Sequence, residues 1–435
     1  MTFPRSHHMG KSGKSESSRK AGRRRTAVAL TALLLTPHAS LLTQTVAITG
    51  GTVYPVSGPK IERGTVLIRD GRIVAVGANV TVPADAQRVD ASGKWVTPGL
   101  IFAGSDAGTG VGGLFGESEA RVQGDINPSF SPAEGIDPLA LTIGQTRTGG
   151  VTTAIIPPGG TMLPGQAISI DLAGDRLDSL LVQRGTALVV NLGDGAKQAG
   201  GGSRAGIMAR LRQLFTDALE YDRRRTDFQR AQIQPLSAPA RELEALLPAL
   251  RGRQPVIVVA NRRMDIENAL RLGREFRLRM VLAGSIESWL VAPELAAARV
   301  PVVVRPLQDI PSFDGLQARL DIATVLRQAG VEVIIAQGDG GGDRDLRYVA
   351  GNAVRNGLSW DDALRSITQA PAAAFGLTDR GTLEAGKVAN VVVWSNDPLD
   401  FAGHAEKVFI RGREASLRTR ETELLERYRR LPVSY

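Results

Sequence analysis

The chain has 435 residues, with 53 Lys and Arg against 44 Asp and Glu, four His and no Cys. Without cysteine there is no disulfide framework, no thiolate nucleophile and no Cys-ligated zinc or iron–sulfur site. An apolar fraction of 43% excludes a wholly disordered chain, and the length admits about three domains or one large α/β barrel with a companion.

The first 25 residues carry Arg5, Lys11, Lys14, Arg19, Lys20, Arg23, Arg24 and Arg25 against Glu16 alone, whereas the remaining 410 hold 45 basic and 43 acidic side chains. The net charge of +9 is therefore concentrated in a head. After Arg23-Arg24-Arg25, residues 26–35 form an uncharged, mostly apolar run. A basic stretch followed by such a run has the pattern of a secretory signal peptide. As a helix it would rise about 15 Å, half a bilayer, so a permanent span is not expected. Met9 is an alternative start, the cut is expected within 39–44, and the paired arginines weakly resemble a twin-arginine signal. A nucleic-acid-binding tail is the competing reading, but no aromatic residue follows Phe3 in the head to stack on bases. The expectation is a head at 1–43 and an exported protein, periplasmic or secreted, with no nucleic-acid partner and no membrane segment after cleavage.

Residues 44–98 read as short strands with turn signals, among them Asp70-Gly71 between 65–68 and 72–76, and Ser92-Gly93. Residues 378–415 have the same texture, so both ends are expected to pair into one small β-sandwich domain. Between them, over 99–377, apolar runs at 100–103, 151–156, 186–190, 255–260, 279–283, 300–304 and 331–336 alternate with amphipathic stretches. This rhythm indicates a parallel sheet with helices outside. With an eighth run at 167–172 or 180–182, the fold class expected is α/β, a (β/α)8 TIM-like barrel. Residues 416–435 close the chain as a charged helix, with Leu424, Leu425 and Tyr428 on one side, to pack on the barrel or on a neighbouring subunit.

Several motifs read blandly. The segment 338–345 superficially resembles a calcium loop, but position six is Arg344 and position twelve is Ala350, which excludes an EF-hand. Residues 157–166 are Gly- and Pro-rich without Gly-Lys-Ser/Thr, which excludes a P-loop; they are a plain turn or a pocket lining. The Gly-rich stretch 193–204 is a connection or a lid. Arg223-Arg224-Arg225 sits among Asp217, Glu220, Asp222 and Asp227, the pattern of a solvated helix face.

The string Asp70-Gly71-Arg72-Ile73-Val74-Ala75-Val76-Gly77, followed by Val96-Thr97-Pro98-Gly99-Leu100-Ile101, resembles the opening of an amidohydrolase. Gly150-Val151-Thr152-Thr153 resembles the second barrel strand of that superfamily. Glu384-Ala385-Gly386-Lys387-Val388-Ala389-Asn390-Val391-Val392-Val393 is similar to its closing motif, with Asn390 where most members have Asp. The resemblance is to the imidazolonepropionase-like branch and covers about 46–413. It implies a sandwich-plus-barrel fold and metal-dependent hydrolysis of non-peptide C–N bonds, with one or two metal ions, usually zinc, at the carboxyl ends of the barrel strands. Such a metal lowers the pKa of bound water from 15.7 to about 7.

Carried over residue by residue, the resemblance leaves the metal ligands without counterparts. Gly104 and Asp106 stand where the family has its two first histidines. The mid-barrel histidine maps near Val259 or Asn261, the next near Gly284, and the catalytic Asp near Gly338 or Asp339. His7, His8 and His38 lie in or beside the head and His404 in the closing β segment, so no histidine occurs between residues 39 and 403. That also excludes a Ser/His/Asp triad. Lys197, the only lysine between 98 and 386, gives no support to a Ser/Lys pair or a carbamylated-lysine bridge. Asp106 and Asp339 are the candidate catalytic carboxylates. With Glu117, Asp125 and Asp343 they are also the candidates for an all-oxygen Mg, Mn or Ca site. Three functions follow. The first is a pseudoenzyme without cofactor, binding a small molecule or a partner. The second is an active hydrolase using carboxylates with or without a hard metal. The third is a structural subunit, as a homo-oligomer or paired with an active paralogue.

Overall fold

The structure is a computed structural model that describes residues 45–110, 118–230, 232, 234–307, 316–337 and 345–429. The expected head lies outside the described residues.

The opening and closing segments build one sheet. Its strands are β1 (Thr45–Val53), β2 (Ile61–Arg69), β3 (Arg72–Gly77), β4 (Gln87–Asp90) and β5 (Trp95–Pro98) from the front. The barrel strands follow as β6 (Leu100–Ala103), β7 (Val151–Ile156), β8 (Gly165–Asp171), β9 (Leu181–Asn191), β10 (Val256–Ala260), β11 (Met280–Gly284), β12 (Val302–Val304) and β13 (Val333–Ile335). The chain then returns to the first sheet as β14 (Val391–Trp394), β15 (Ala405–Ile410) and β16 (Arg413–Ala415). That sheet runs β16-β15-β14-β5-β1-β2-β3, with β4 beside β1. The two ends meet where β14 pairs antiparallel with β5. The sheet is single and curls around one core, in which Val46, Ile48, Val66 and Ile68 meet Val391, Val393 and Phe409.

The second sheet is the barrel, in the order β13-β12-β11-β10-β9-β8-β7-β6. At its β6 end the Ile101 amide donates to the carbonyl of Ile367, at the end of the helix Trp360–Ser366 and just before the helix Gln369–Ala374. Eight strands are present, but β8 runs antiparallel to both β7 and β9. Only eight residues join β7 to β8, too few for the helical crossover that a parallel neighbour requires. The chain therefore turns back as a hairpin, and two of the expected strand–helix units are replaced by a reversed strand. β9 absorbs both 186–190 and the run near 181.

Ladder register identifies the inward faces, because register mates on neighbouring strands share a face and successive residues alternate. Val258, Met280 and Leu282 line one small apolar space with Ile266, Ala269 and Leu270 of the helix Arg263–Phe276. They point outward, so Ile257, Val259 and their mates Val189, Asn191, Val281 and Ala283 point inward. The same bookkeeping puts Val303 and Ile334 on one side of the ring, and Ala103, Ile155, Thr153 and Asp171 on the other, inside. The last helix, Arg420–Tyr428, is capped by Thr419 and buries none of its residues. No helix among the described residues is long and apolar enough to cross a membrane.

Candidate functional site

The carboxyl ends of the parallel strands define the barrel mouth. Gly104 follows β6. Ser105 is buried and its Oγ accepts from the Ala107 amide at 3.0 Å. Asp106 is exposed; its backbone carbonyl accepts from the amide and the hydroxyl of Thr109, both at 2.9 Å, which fixes a tight turn at the rim. Across the ring, Val259 sits in register between Asn191 and Ala283. Asn261 is one step beyond β10, and Gly284 ends β11 opposite Ala260. A Cβ placed on Gly284 would lie 2.4 Å from Asn261 Oδ1 and 3.5 Å from Val259 Cγ1. The structure thus brings Val259, Asn261 and Gly284 together, while Gly104 and Asp106 lie on the opposite side of the ring. Gly338, Asp339, Glu117 and Asp343 fall outside the described residues.

Asp125 has a different role from the one its acidity suggested. Its carboxylate accepts from Thr161 Oγ1 at 3.2 Å and pairs with Arg210 at 3.2 Å. It fastens the segment around 118–130 to the 157–164 hairpin loop, with bridges Arg121–Gly159 and Ile126–Leu163. Met162 and Leu163 at the tip of that loop are fully buried. The Asn191 amide, which sequence reasoning did not single out, donates to the carbonyls of Gly160 (3.0 Å) and Thr161. A reversed strand needs its turn at the mouth, so this Gly- and Pro-rich segment becomes a packed cover on one side of it.

The Gly-rich stretch after β9 is pinned by ions. Asp194 pairs with Lys197 (2.7 Å), Arg204 (2.6 Å) and, more loosely, Arg262 (3.8 Å); Arg204 also reaches the buried Asp265 at 2.8 Å. The Lys197 hydrogen bond foremost, with Arg204 and against a small burial effect, holds the Asp194 carboxyl below its ordinary range. Arg223, Arg224 and Arg225 pair at the surface with Glu220, Asp227 and Glu244.

A second, more deeply buried charge cluster sits at the opposite end, on the barrel floor. Because β8 is reversed, its last residue, Asp171, lands there beside Thr153, fully buried. It accepts from Thr153 Oγ1 at 2.8 Å, from Arg411 Nε at 2.7 Å and from Arg380 Nη1. Asn390 Nδ2 donates to Thr153 Oγ1 (3.3 Å) and Asp171 Oδ1 (3.4 Å), while its Oδ1 accepts from the Arg411 amide (2.9 Å). Burial disfavours the Arg380 cation, but Asp171 and Asp379 outweigh it and hold that guanidinium above its ordinary pKa. Burial likewise opposes the Asp379 carboxylate, yet the Arg380 hydrogen bond keeps its pKa below the usual value. Next to this cluster, Trp394 is packed so close to Gly150 (φ +79°) that a Cβ there would lie 2.1 Å from Trp394 Cη2. Asn390, Arg380 and Arg411 belong to or flank the closing motif, so that part of the motif bolts the first sheet onto the barrel.

No three His, Cys, Asp or Glu side chains converge into a metal-binding group among the described residues. Among the inward positions next to the mouth, Ala103, Ile155, Val259, Ala283, Val303 and Ile334 carry no donor atom for a metal, and the Asn191 carboxamide is held by the 157–164 loop.

An amidohydrolase family model matches residues 344–415. The chain is 27% identical over 399 residues to amidohydrolase tasK of Hapsidospora irregularis, covering 80% of this chain but only 39% of that protein. It is 28% identical over 365 residues to the imidazolonepropionase of Acidiphilium cryptum (strain JF-5), covering 78% and 89% of the two chains. Among solved structures, an amidohydrolase from Thermotoga maritima MSB8 superposes with a TM-score of 0.78 at 27% identity, over 86% of this chain and all of that one. Strand order, core and these likenesses support placing the chain in the amidohydrolase superfamily, in its imidazolonepropionase-like branch.

Proposed function

We propose that this is an exported amidohydrolase-fold protein that has given up metal-dependent hydrolysis and uses the barrel mouth to bind a small molecule. The observation that carries the reading is the chemistry of the mouth. Zinc takes imidazole nitrogen, thiolate or carboxylate, and the positions that the family resemblance assigns to ligands hold Gly104 and Asp106, Val259 or Asn261, and Gly284, of which Asp106 alone offers such a donor. These residues do not fit a zinc centre. Without a metal, water at its bulk pKa is about one part in 10⁸–10⁹ hydroxide at pH 7, and a carboxylate base recovers only about 10²–10⁴ of that deficit. Export is supported by the basic and apolar head. A partner role, as a homo-oligomer or beside an active paralogue, is compatible with the last helix, whose Leu425 and Tyr428 are exposed.

The second reading is a C–N hydrolase using carboxylates with or without Mg or Mn. The exposed Asp106 at the rim favours it. Elemental analysis of natively purified protein, paired with an amide-hydrolysis panel with and without Zn²⁺ or Mn²⁺, separates the two. The first reading expects no stoichiometric metal and no turnover. Metal-dependent turnover lost in Asp106→Asn or Asp339→Asn refutes it.

A further inference from the structure

The helix Arg204–Arg223 lies beside the helix Arg263–Phe276 and runs the same way. Two ion pairs tie them, Arg204 to Asp265 at 2.8 Å and Arg212 to Glu275 at 2.7 Å. Along the first helix these ties stand about 12 Å apart. Helical spacing puts Arg204, Met208 and Arg212 on one stripe, and Met264, Asn268, Arg271 and Glu275 on the facing one. Between the ties the stripes part into an open groove of about 410 Å³, within the size of small-molecule sites, roughly 300–1,000 Å³. Arg204, Arg212 and Arg271 line it together with Met208 and Met264, and no acidic side chain among the described residues does. Met208 is buried and forms the floor, whereas Met264 is 49% exposed and forms the rim.

The three cations are not equally engaged. Arg204 pairs with Asp194 as well as Asp265, and Arg212 holds Glu275. Arg271 donates from Nη2 to the neutral Oδ1 of Asn268 and has no acidic partner among the described residues. Glu275, one turn further along its own stripe, is turned to Arg212 instead. Arg271 is exposed, so an anion reaches it from solvent without displacing any part of the protein.

We propose that this groove binds a small monocarboxylate with an apolar chain. The carboxylate forks onto the Arg271 guanidinium, in the field of Arg204 and Arg212, and the chain lies along Met208 and Met264. A planar guanidinium matches a carboxylate with two parallel hydrogen bonds, and unbranched thioethers adapt to a flexible chain. One guanidinium without an acid, beside apolar surface, favours a singly charged amphiphile over inorganic phosphate. The groove lies between two helices rather than inside the barrel, so the inference does not depend on what the mouth binds.

The test titrates the full chain at low salt with hexanoate, hexanol, acetate and inorganic phosphate, using ligand-observed NMR, and checks the folding of each variant by circular dichroism. The wild type is expected to bind hexanoate about tenfold more tightly than hexanol, the worth of a charge-assisted hydrogen bond. It should bind hexanoate about fivefold more tightly than acetate, from partial burial of the chain. Arg271→Gln, an exposed and neutral change, should remove the advantage over hexanol. Met264→Gln should remove most of the advantage over acetate. Arg355→Gln, at another exposed guanidinium, on the helix Leu346–Arg355, should leave both ratios unchanged. Absence of hexanoate binding, hexanoate affinity unaltered in Arg271→Gln, or an equal loss in Arg355→Gln overturns the proposal. So does displacement of hexanoate by an equal concentration of inorganic phosphate, because the groove would then select charge alone.

Discussion

Changing Asp171 to Asn removes one negative charge from the barrel floor and almost no volume. Arg380, with a side chain 4% exposed, then keeps only Asp379 as an ionic partner, and that carboxylate is 43% exposed. Breaking a buried pair by removing one partner costs about 3–5 kcal/mol, because the other charge stays buried and uncompensated. Arg411 adds little: its side chain is 40% exposed and retains the carbonyl of Ser179 at 2.8 Å, and an exposed pair is worth about 0–1 kcal/mol. Asp171→Asn is therefore expected to cost about 3 kcal/mol or more, a large part of the roughly 5–15 kcal/mol that holds a folded protein together. Urea unfolding followed by far-ultraviolet circular dichroism reads this as a lower midpoint. A cycle with Arg380→Met supplies the control, since replacing both partners by groups of similar volume is commonly near neutral. The double variant should be more stable than Asp171→Asn alone. A loss below about 1 kcal/mol for Asp171→Asn, or a double variant worse than the sum of the single ones, refutes the assignment of Asp171 as the bolt.

Other outcomes follow from the same geometry. Asn390→Asp places a second carboxylate about 3.4 Å from Asp171, the present Nδ2 distance. A like charge so close raises the folded-state pKa of the introduced carboxyl. The folded variant then binds more protons than its unfolded chain, so its deficit against the wild type in thermal scans should be largest near pH 8 and shrink toward pH 5. Gly150→Ala combines a clash with Trp394 and an unfavourable φ; it should cost about 2–4 kcal/mol in urea unfolding, and a neutral result would mean the Trp394 packing is misjudged. Asp194 and Asp379 have folded-state pKa values below the ordinary ones. Their stabilisation is present above the unfolded pKa of about 4 and is lost as pH falls through the lower folded value. Acid titration monitored by tryptophan fluorescence should therefore show stability falling below about pH 4, with a smaller acid-induced loss in Asp194→Asn.

The local signals were strong enough to read both sheets from the chain. Asp70-Gly71 forms the turn between β2 and β3, and the apolar runs after residue 99 became barrel strands. The opening and closing motifs pair directly, as β5 and β14. Two arrangements needed the folded molecule. The reversal of β8 was not legible, because a short buried strand has the same composition in either direction; only the length of its connections and its neighbours decide. The coupling of Asn261 to Gly284 was equally hidden, since 23 residues separate them in sequence and the contact exists only because β10 and β11 lie side by side.

What the sequence determined by itself was composition-bound. With no cysteine and no histidine between 39 and 403, it specified which donor atoms were available to the barrel, since covalent chemistry does not depend on conformation. Tertiary structure decided where charge and polarity are placed. Reversing one strand sent Asp171 to the floor, where Arg380 and Arg411 pair with it, and left the mouth lined mainly by apolar side chains with the carboxamides of Asn191 and Asn261. Side-chain direction in a barrel follows ladder register, and register is a property of neighbouring strands rather than of any one of them.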